Sequence, residues 1–270
     1  MGPMGSIAQK IRRRETPLTE WLYWRLRAVR SLSMPVIPGV HSLLYHERAL
    51  RRGLWDRLKK GLYHEPLFKT RCASVGRNLR IEEGGGTGMP WLEGGLHLHL
   101  GNDVRLMDKT TLVGMTVGDS PTLRIGDRSY LGPGVSIYSA KSVEIGADCM
   151  IASTIVTDNP GHPMLDTVRR LQGGTISLSE ARPVRIGDFV WLATGTYVFP
   201  GVTIGDGVIA LPGAQIGGMD VPPFCMVSGS PARVVAKLPL PAKLKEIVGE
   251  ERYAAYKQAH REMGPIRPQK

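Results

Sequence analysis

Ile186, Leu192, Val198, Ile204, Ala210 and Ile216 stand six residues apart without a slip. A helix repeats its buried face about every 3.6 residues and a flat strand about every 2, so neither accounts for this beat. A six-residue period with glycine after the apolar anchor fits a β-solenoid, in which short flat strands stack coil upon coil. The fourth residues after the first five anchors, Val190, Thr196, Val202, Val208 and Ala214, are small or β-branched and can also face inward. Gly187 and Gly205 follow their anchors, where the chain turns a corner at low steric cost. Six consecutive anchors rule out a chance period in an ordinary glycine-rich β domain.

Outside this stretch the beat comes and goes. Clear hexads start at Ile125 and Leu131 and continue at Ile137, and a two-residue slip resets the frame to Ile145 and Ile151. Residues 81–118 read as irregular, with GGGTG at 84–88 and alternating Leu96, Leu98 and Leu100. Residues 157–183 carry no beat at all. A long loop inside a compact solenoid is a functional candidate. After Val221-Pro222-Pro223 the solenoid ends and one C-terminal helix is expected. The chain therefore divides into a helical arm over 1–75, a β-helix over 76–236 with its loop at 157–183, and a helical tail over 237–270.

The net charge of +11 invites a nucleic-acid reading, but its distribution opposes one. Residues 1–80 hold 17 Lys and Arg against 5 Asp and Glu, whereas the rest of the chain is close to neutral. No helix-turn-helix, zinc-finger or RNA-recognition signature is present, so no nucleic-acid partner is expected. Thr16-Pro17 offers a helix N-cap with proline at the first helical position, Pro35 and Pro38 interrupt, and a second helix is expected over about 41–63. Trp21, Trp24 and Trp55 alternate with Arg25, Arg27, Arg30, Arg51 and Arg52, the composition of an interfacial helix on anionic lipid. An arm packed on its own domain or on a neighbouring subunit is the alternative. Cys72, Cys149 and Cys225 are odd in number and lack metal-like spacing, which reads as reduced thiols in an intracellular setting. No spanning helix and no apolar signal-peptide core are expected, so the protein is placed in the cytoplasm, with peripheral contact at the inner face of the membrane through residues 10–63.

Three segments resemble the hexapeptide-repeat, left-handed β-helix acyltransferases of the galactoside, maltose and polysaccharide O-acetyltransferase type. They are GHP at 161–163, PVRIGDFVWLATGTYVFPGVTIGDGVI at 183–209 and VPPFCMVSGSPARVVAKL at 221–238. The resemblance implies left-handed triangular coils, a homotrimer, acetyl-CoA as acyl donor without a metal, and a donor groove between neighbouring solenoids. It places His162 at the catalytic position. Imidazole, with an ordinary pKa near 6.5, suits removal of a hydroxyl proton near neutrality. Trp191, Ala193, Thr194, Gly213 and Arg233 fall at donor-binding positions, and arginine's planar fork suits phosphate oxygens. Backbone N–H groups near Ala193 are expected to hold the oxyanion.

The departures from the family pattern are specific. Leu211-Pro212-Gly213 stands where Gly-Ala-Gly is usual, and Gly217-Gly218 replaces Thr-Lys, so Lys237 or an arm arginine is expected to supply the missing cation. Gly132 replaces the acceptor-binding asparagine of galactoside enzymes. Tyr138, Ser139, Asp158 and Asn159 are the candidates for sugar contacts, and Glu144, Asp158 and Asp166 for orienting His162. His97 and His99 read as structural. The expected activity is O-acetylation of a sugar hydroxyl on a surface polysaccharide or its lipid-linked precursor. Alternatives are N-acetylation of an amino-sugar nucleotide, or a non-catalytic solenoid scaffold.

Overall fold

A computed structural model of the protein describes residues 3–115, 117, 120–264 and 266. The outermost residues of the expected arm and tail (Met1, Gly2, Pro265 and 267–270) lie outside that set. The six-residue beat becomes a triangular coil. Ile186 pairs in parallel with Ile204, Leu192 with Ala210 and Val198 with Ile216, each eighteen residues on. All six anchors and all five inward fourth residues are buried.

Stacking produces three sheets. Face A comprises Ser74–Val75, His97–Leu100, Thr122–Ile125, Ser142–Ile145, Val184–Ile186 and Thr203–Ile204. Face B runs from Arg80–Glu82 through Arg105–Met107, Tyr130–Leu131, Met150–Ile151, Trp191–Leu192 and Ile209–Ala210 to Cys225–Ser228, where Arg233–Lys237 closes it antiparallel. Face C comprises Trp91–Glu93, Thr111–Gly114, Ser136–Ser139, Ile155–Thr157, Tyr197–Val198 and Gln215–Ile216.

The Gly-Asp that follows several anchors has a mechanical reason. Asp127, Asp188 and Asp206 accept the amides of Asn102, Ala147 and Asp188 from the coil below, at 2.7–2.8 Å. A Cβ on Gly187 would stand 2.3 Å from Asp206 Oδ1, so only glycine admits that carboxylate.

The described residues of 81–118 prove regular, against the expectation. Their strands stack in register, and the beat is obscured only because coils lengthen at the corners. Leu98 pairs with Leu123 twenty-five residues on, and Val143 with Val184 forty-one residues on. The glycine-rich 84–88 segment is a corner insert. The Gly84 and Gly86 amides donate to buried Asp108 at 2.8 Å each. The segments that follow Gly114 and Thr157 leave the same corner, between faces C and A, two coils apart. Ile176 and Ala181 of the long loop are buried with Ala140, and Met115 and Val117 pack against them.

The helices are α1 (Pro3–Arg13), α2 (Pro17–Ser31), α3 (Pro38–Lys59), α4 (Glu65–Lys69), α5 (Thr167–Leu171), α6 (Ala242–Val248) and α7 (Glu250–Glu262). Thr16 caps α2 through a reciprocal pair of bonds with Thr19. Pro38, expected as a breaker, instead opens α3, where its missing N–H costs nothing. Two compact units divide at Asp56 and Arg57, earlier than the expected break at 75. Phe68 is the reason: it is buried in the same apolar cluster as Leu79, Ile81 and Leu98, so the segment before the first strand belongs to the solenoid. The single helix expected in the tail is two, broken at Gly249 with φ of 85°. Leu244 of α6 and Tyr253 and Tyr256 of α7 bury against Phe224.

Candidate active site

The loop that carries His162 is anchored at its root by Asp158. That carboxylate is fully buried and accepts the backbone amides of Ala140, Lys141 and Ser142 at 2.7 Å each. Asn159 Nδ2 also donates to it at 2.9 Å, and the Ser139 hydroxyl, whose one proton is shared with the Thr122 carbonyl, lies 3.3 Å away. A charge removed from water needs such a shell. Asp158 therefore nails the loop to the turn over 140–142, and its oxygens face inward rather than toward a sugar or His162. Ser139 is likewise buried, donating to Thr122 O at 3.0 Å, which removes it from the accessible acceptor contacts.

Asn159 is also buried, and its amide works in both directions. Nδ2 bonds Asp158, while Oδ1 accepts the Gly161 amide at 2.9 Å. Gly161 adopts φ of 76°, a conformation glycine reaches freely, so the chain turns sharply just before His162. Beyond His162, Arg170 Nη1 donates to the carbonyls of Pro163 and Met164 at 3.1 Å each. Glu180 Oε1 accepts the Met164 amide at 3.3 Å. The His162 ring is exposed, and no hydrogen bond to it is formed among the described residues.

None of the three expected orienting carboxylates reaches this ring. Glu144 lies in register with Arg185 on face A and pairs with it at 3.5 Å. An eighteen-residue offset stacks two residues only in an unbroken coil, and the loop that carries His162 lengthens this one, so that Glu144 pairs with Arg185 instead. Asp166 caps α5, accepting the Arg169 amide at 2.9 Å. A cysteine base or nucleophile is no substitute. Burial pushes Cys72 and Cys225 up to about 11 and Cys149 to about 12, so thiolate is scarce near neutrality.

A groove of about 890 Å³ lies between this loop and the outer surface of face C. Pro160 and Met164, on either side of His162, line one wall, and Tyr197, Phe199 and Gln215 form the floor. The Tyr197 and Phe199 rings stand 4.4 Å apart. Burial, with Tyr138 close by, raises the Tyr197 phenol above its ordinary value. Gly217 is needed here, because a Cβ would stand 2.9 Å from the Phe199 ring. The aromatic floor thus occupies the space where the family pattern carries a side chain. Sequence reading missed Tyr197, Phe199 and Arg170. The Gly217-Gly218 departure was the one visible trace of the first two.

The expected donor-binding residues divide between two surfaces. Thr194 and Gly213 share the corner between faces B and C, one coil apart, with the Gly213 amide on Thr194 O at 3.0 Å. Ser230 and Pro231 close the groove at the last coil, and exposed Arg233 follows on the final strand. Trp191 is 48% exposed on face B, so a single protomer does not bring it into the face-C groove. Ala193 is buried, and its amide is committed to Ala210 O at 3.0 Å. The Gly195 amide is committed to Ser153 O, so neither is free for an oxyanion. Lys237 donates to the His260 carbonyl at the end of α7, which takes it away from a phosphate role.

No family model matches the chain. The galactoside O-acetyltransferase of Escherichia coli is 30% identical over 116 residues, 43% of this chain and 54% of that protein. Nodulation protein L of Rhizobium meliloti is 38% identical over 116 residues, 43% of this chain and 49% of that protein. The chain spans about half the length of the curated relatives it matches. AntD, an N-acyltransferase from Bacillus cereus solved with dTDP and coenzyme A, superposes with a TM-score of 0.50 at 20% identity, covering 70% of this chain and 95% of that one. The chain carries the hexapeptide-repeat acyltransferase fold. In that left-handed β-helix, the loop at 157–183 and the groove beside it are this protein's candidate active site.

Proposed function

We propose that this protein is an acetyl-CoA-dependent O-acetyltransferase acting on a sugar hydroxyl of a surface polysaccharide or its lipid-linked precursor. The observation that carries the reading is His162, exposed between two residues that line the face-C groove. A neutral imidazole there takes the proton of the acceptor hydroxyl as its oxygen attacks the thioester carbonyl. The tetrahedral adduct collapses, expelling the thiolate of coenzyme A, and the imidazolium returns the proton to that sulfur. The aromatic floor of Tyr197 and Phe199 suits the apolar face of a pyranose ring. Among the relatives, one from Escherichia coli carries a provisional name in colanic acid biosynthesis, which supports a polysaccharide-related acceptor.

Trimeric assembly belongs to the same reading. Tyr130, Met150, Trp191 and Ile209 stack in register on the outer surface of face B, and Met150 and Trp191 are about half exposed. A ladder of this kind is suited to packing against a second solenoid, which would bring Trp191 to a neighbour's groove. A cytoplasmic protein whose residues 10–63 rest on the inner face of the membrane would meet a lipid-linked acceptor there. The test of the chemistry is His162→Ala, assayed by mass-spectrometric detection of acetate on extracted glycolipid or polysaccharide. Turnover should fall by about a hundredfold or more with the fold intact. Unchanged turnover would exclude His162 as the base.

A further inference from the structure

His162 has a placement problem that its own ring does not solve. The imidazole is exposed and has no hydrogen-bond partner among the described residues. A side chain so placed is free to sample its staggered rotamers. Misplacing a reacting group by about an ångström costs as much as about a hundredfold in rate. Geometry must therefore come from the backbone that carries it.

That backbone is held from both sides by side chains that the reaction itself does not use. Before His162, Asn159 Oδ1 accepts the Gly161 amide, and Asn159 is in turn fixed to Asp158 at the buried root of the loop. After it, Arg170 reaches back from α5 to the carbonyls of Pro163 and Met164, and its Nη2 bonds Thr167 Oγ1 at 3.4 Å. Pro163 has no N–H to satisfy, and the Met164 amide goes to Glu180. The amides of Gly161 and Met164 and the carbonyls of Pro163 and Met164 are thereby bonded within the loop itself.

We propose that Asn159 and Arg170 are positioning residues that hold the backbone carrying the His162 imidazole at the wall of the face-C groove, between Pro160 and Met164. The proposal rests on His162 being the base. It requires that removing either residue costs turnover only while the histidine is present.

The experiment is a double-mutant cycle on the full chain, with kcat and the KM for acetyl-CoA measured for each variant. Arg170 is exposed, so Arg170→Met leaves the core untouched. This variant should lose about tenfold to a hundredfold in kcat, with KM and the thermal midpoint near those of the parent. Arg170→Lys keeps one donor and should recover part of the loss. Asn159→Ser should lose kcat similarly but with a lower thermal midpoint, because it also takes a donor from buried Asp158. In the His162→Ala background, Arg170→Met should cost nothing further. The full cost persisting without the histidine would overturn the proposal, as would unchanged kcat in Arg170→Met. A His162→Ala enzyme with parental turnover would instead remove the catalytic reading, so the two failures are distinguishable.

Discussion

Asp158 shows how far the role of one carboxylate depends on what surrounds it. By type and position it resembles a sugar contact or an orienting partner for His162. In the fold it is enclosed by three backbone amides, a hydroxyl and an amide side chain. Replacing it with alanine strands the amides of Ala140, Lys141 and Ser142 at a part-buried corner. Each unpaired donor costs about 1–3 kcal/mol, softened where water enters. Asp158→Ala should therefore lose roughly 3 kcal/mol in urea unfolding, and the loop should become the first site of proteolytic cleavage. A variant with parental stability and an intact loop would show that these bonds are dispensable. His162 was legible in sequence because glycine and proline bracket it within a segment that breaks the beat. Its supports were not legible. Arg170 meets Pro163 and Met164 only because α5 turns the loop back on itself, and Glu144 misses His162 only because the same loop lengthens the coil.

At the scale of elements, the hexads were readable because each buried position repeats a simple steric demand. The corners were not, since an insertion of any length leaves the pairing of the flanking strands unchanged. The pairing of Leu98 with Leu123 is as regular as that of Ile186 with Ile204, despite the longer coil between them. Helix α7 adds a contact that no repeat encodes. Arg252 Nη2 bridges Asp188 and Asp206 at 2.7 Å to each, and the Tyr256 hydroxyl donates to Asp206 at 2.6 Å. Burial pushes the Asp206 carboxyl up, but the bonds from Tyr256, Arg252 and the Asp188 amide outweigh it and hold it below its ordinary value. A carboxyl depressed on folding stabilises the native state above its unfolded pKa, and that contribution is lost as pH falls through the lower folded value. Docking of α7 should thus be constant near neutrality and weaken below about pH 4. Protection of residues 250–262 against hydrogen exchange, corrected for the intrinsic pH dependence of amide exchange, should fall over that range, and Asp206→Asn should flatten the response. Protection factors independent of pH between about 6 and 3 would contradict the assignment.

At the scale of the whole molecule, the N-terminal unit contradicts the economy of the solenoid. The solenoid buries its apolar residues, whereas α2 and α3 bury none. Of 31 exposed large hydrophobic residues among the described ones, 16 fall before Arg57, including Trp21, Trp24 and Trp55. Arg25 and Arg27 stack over Trp21 and Trp24 at 5.3 Å, which keeps cations beside apolar rings. No helix among the described residues is long and apolar enough to cross a membrane. A surface that is at once apolar, indole-bearing and cationic matches the boundary of an anionic bilayer, where rings sit at headgroup depth and arginines face phosphate. Each basic residue near such a surface contributes about 1 kcal/mol, so replacing Arg25, Arg27 and Arg30 together with glutamine should weaken binding by roughly a hundredfold. The full chain should co-sediment with phosphatidylglycerol vesicles, far less with phosphatidylcholine alone, and progressively less as salt shortens the screening length. Trp21→Ser with Trp24→Ser should lower binding at every salt concentration, because the apolar contribution is not screened. Equal binding to charged and neutral vesicles would remove the electrostatic half of this account. Absence of binding to either, with the arm instead protected from proteolysis in the assembled oligomer, would assign the exposed indoles to a neighbouring subunit.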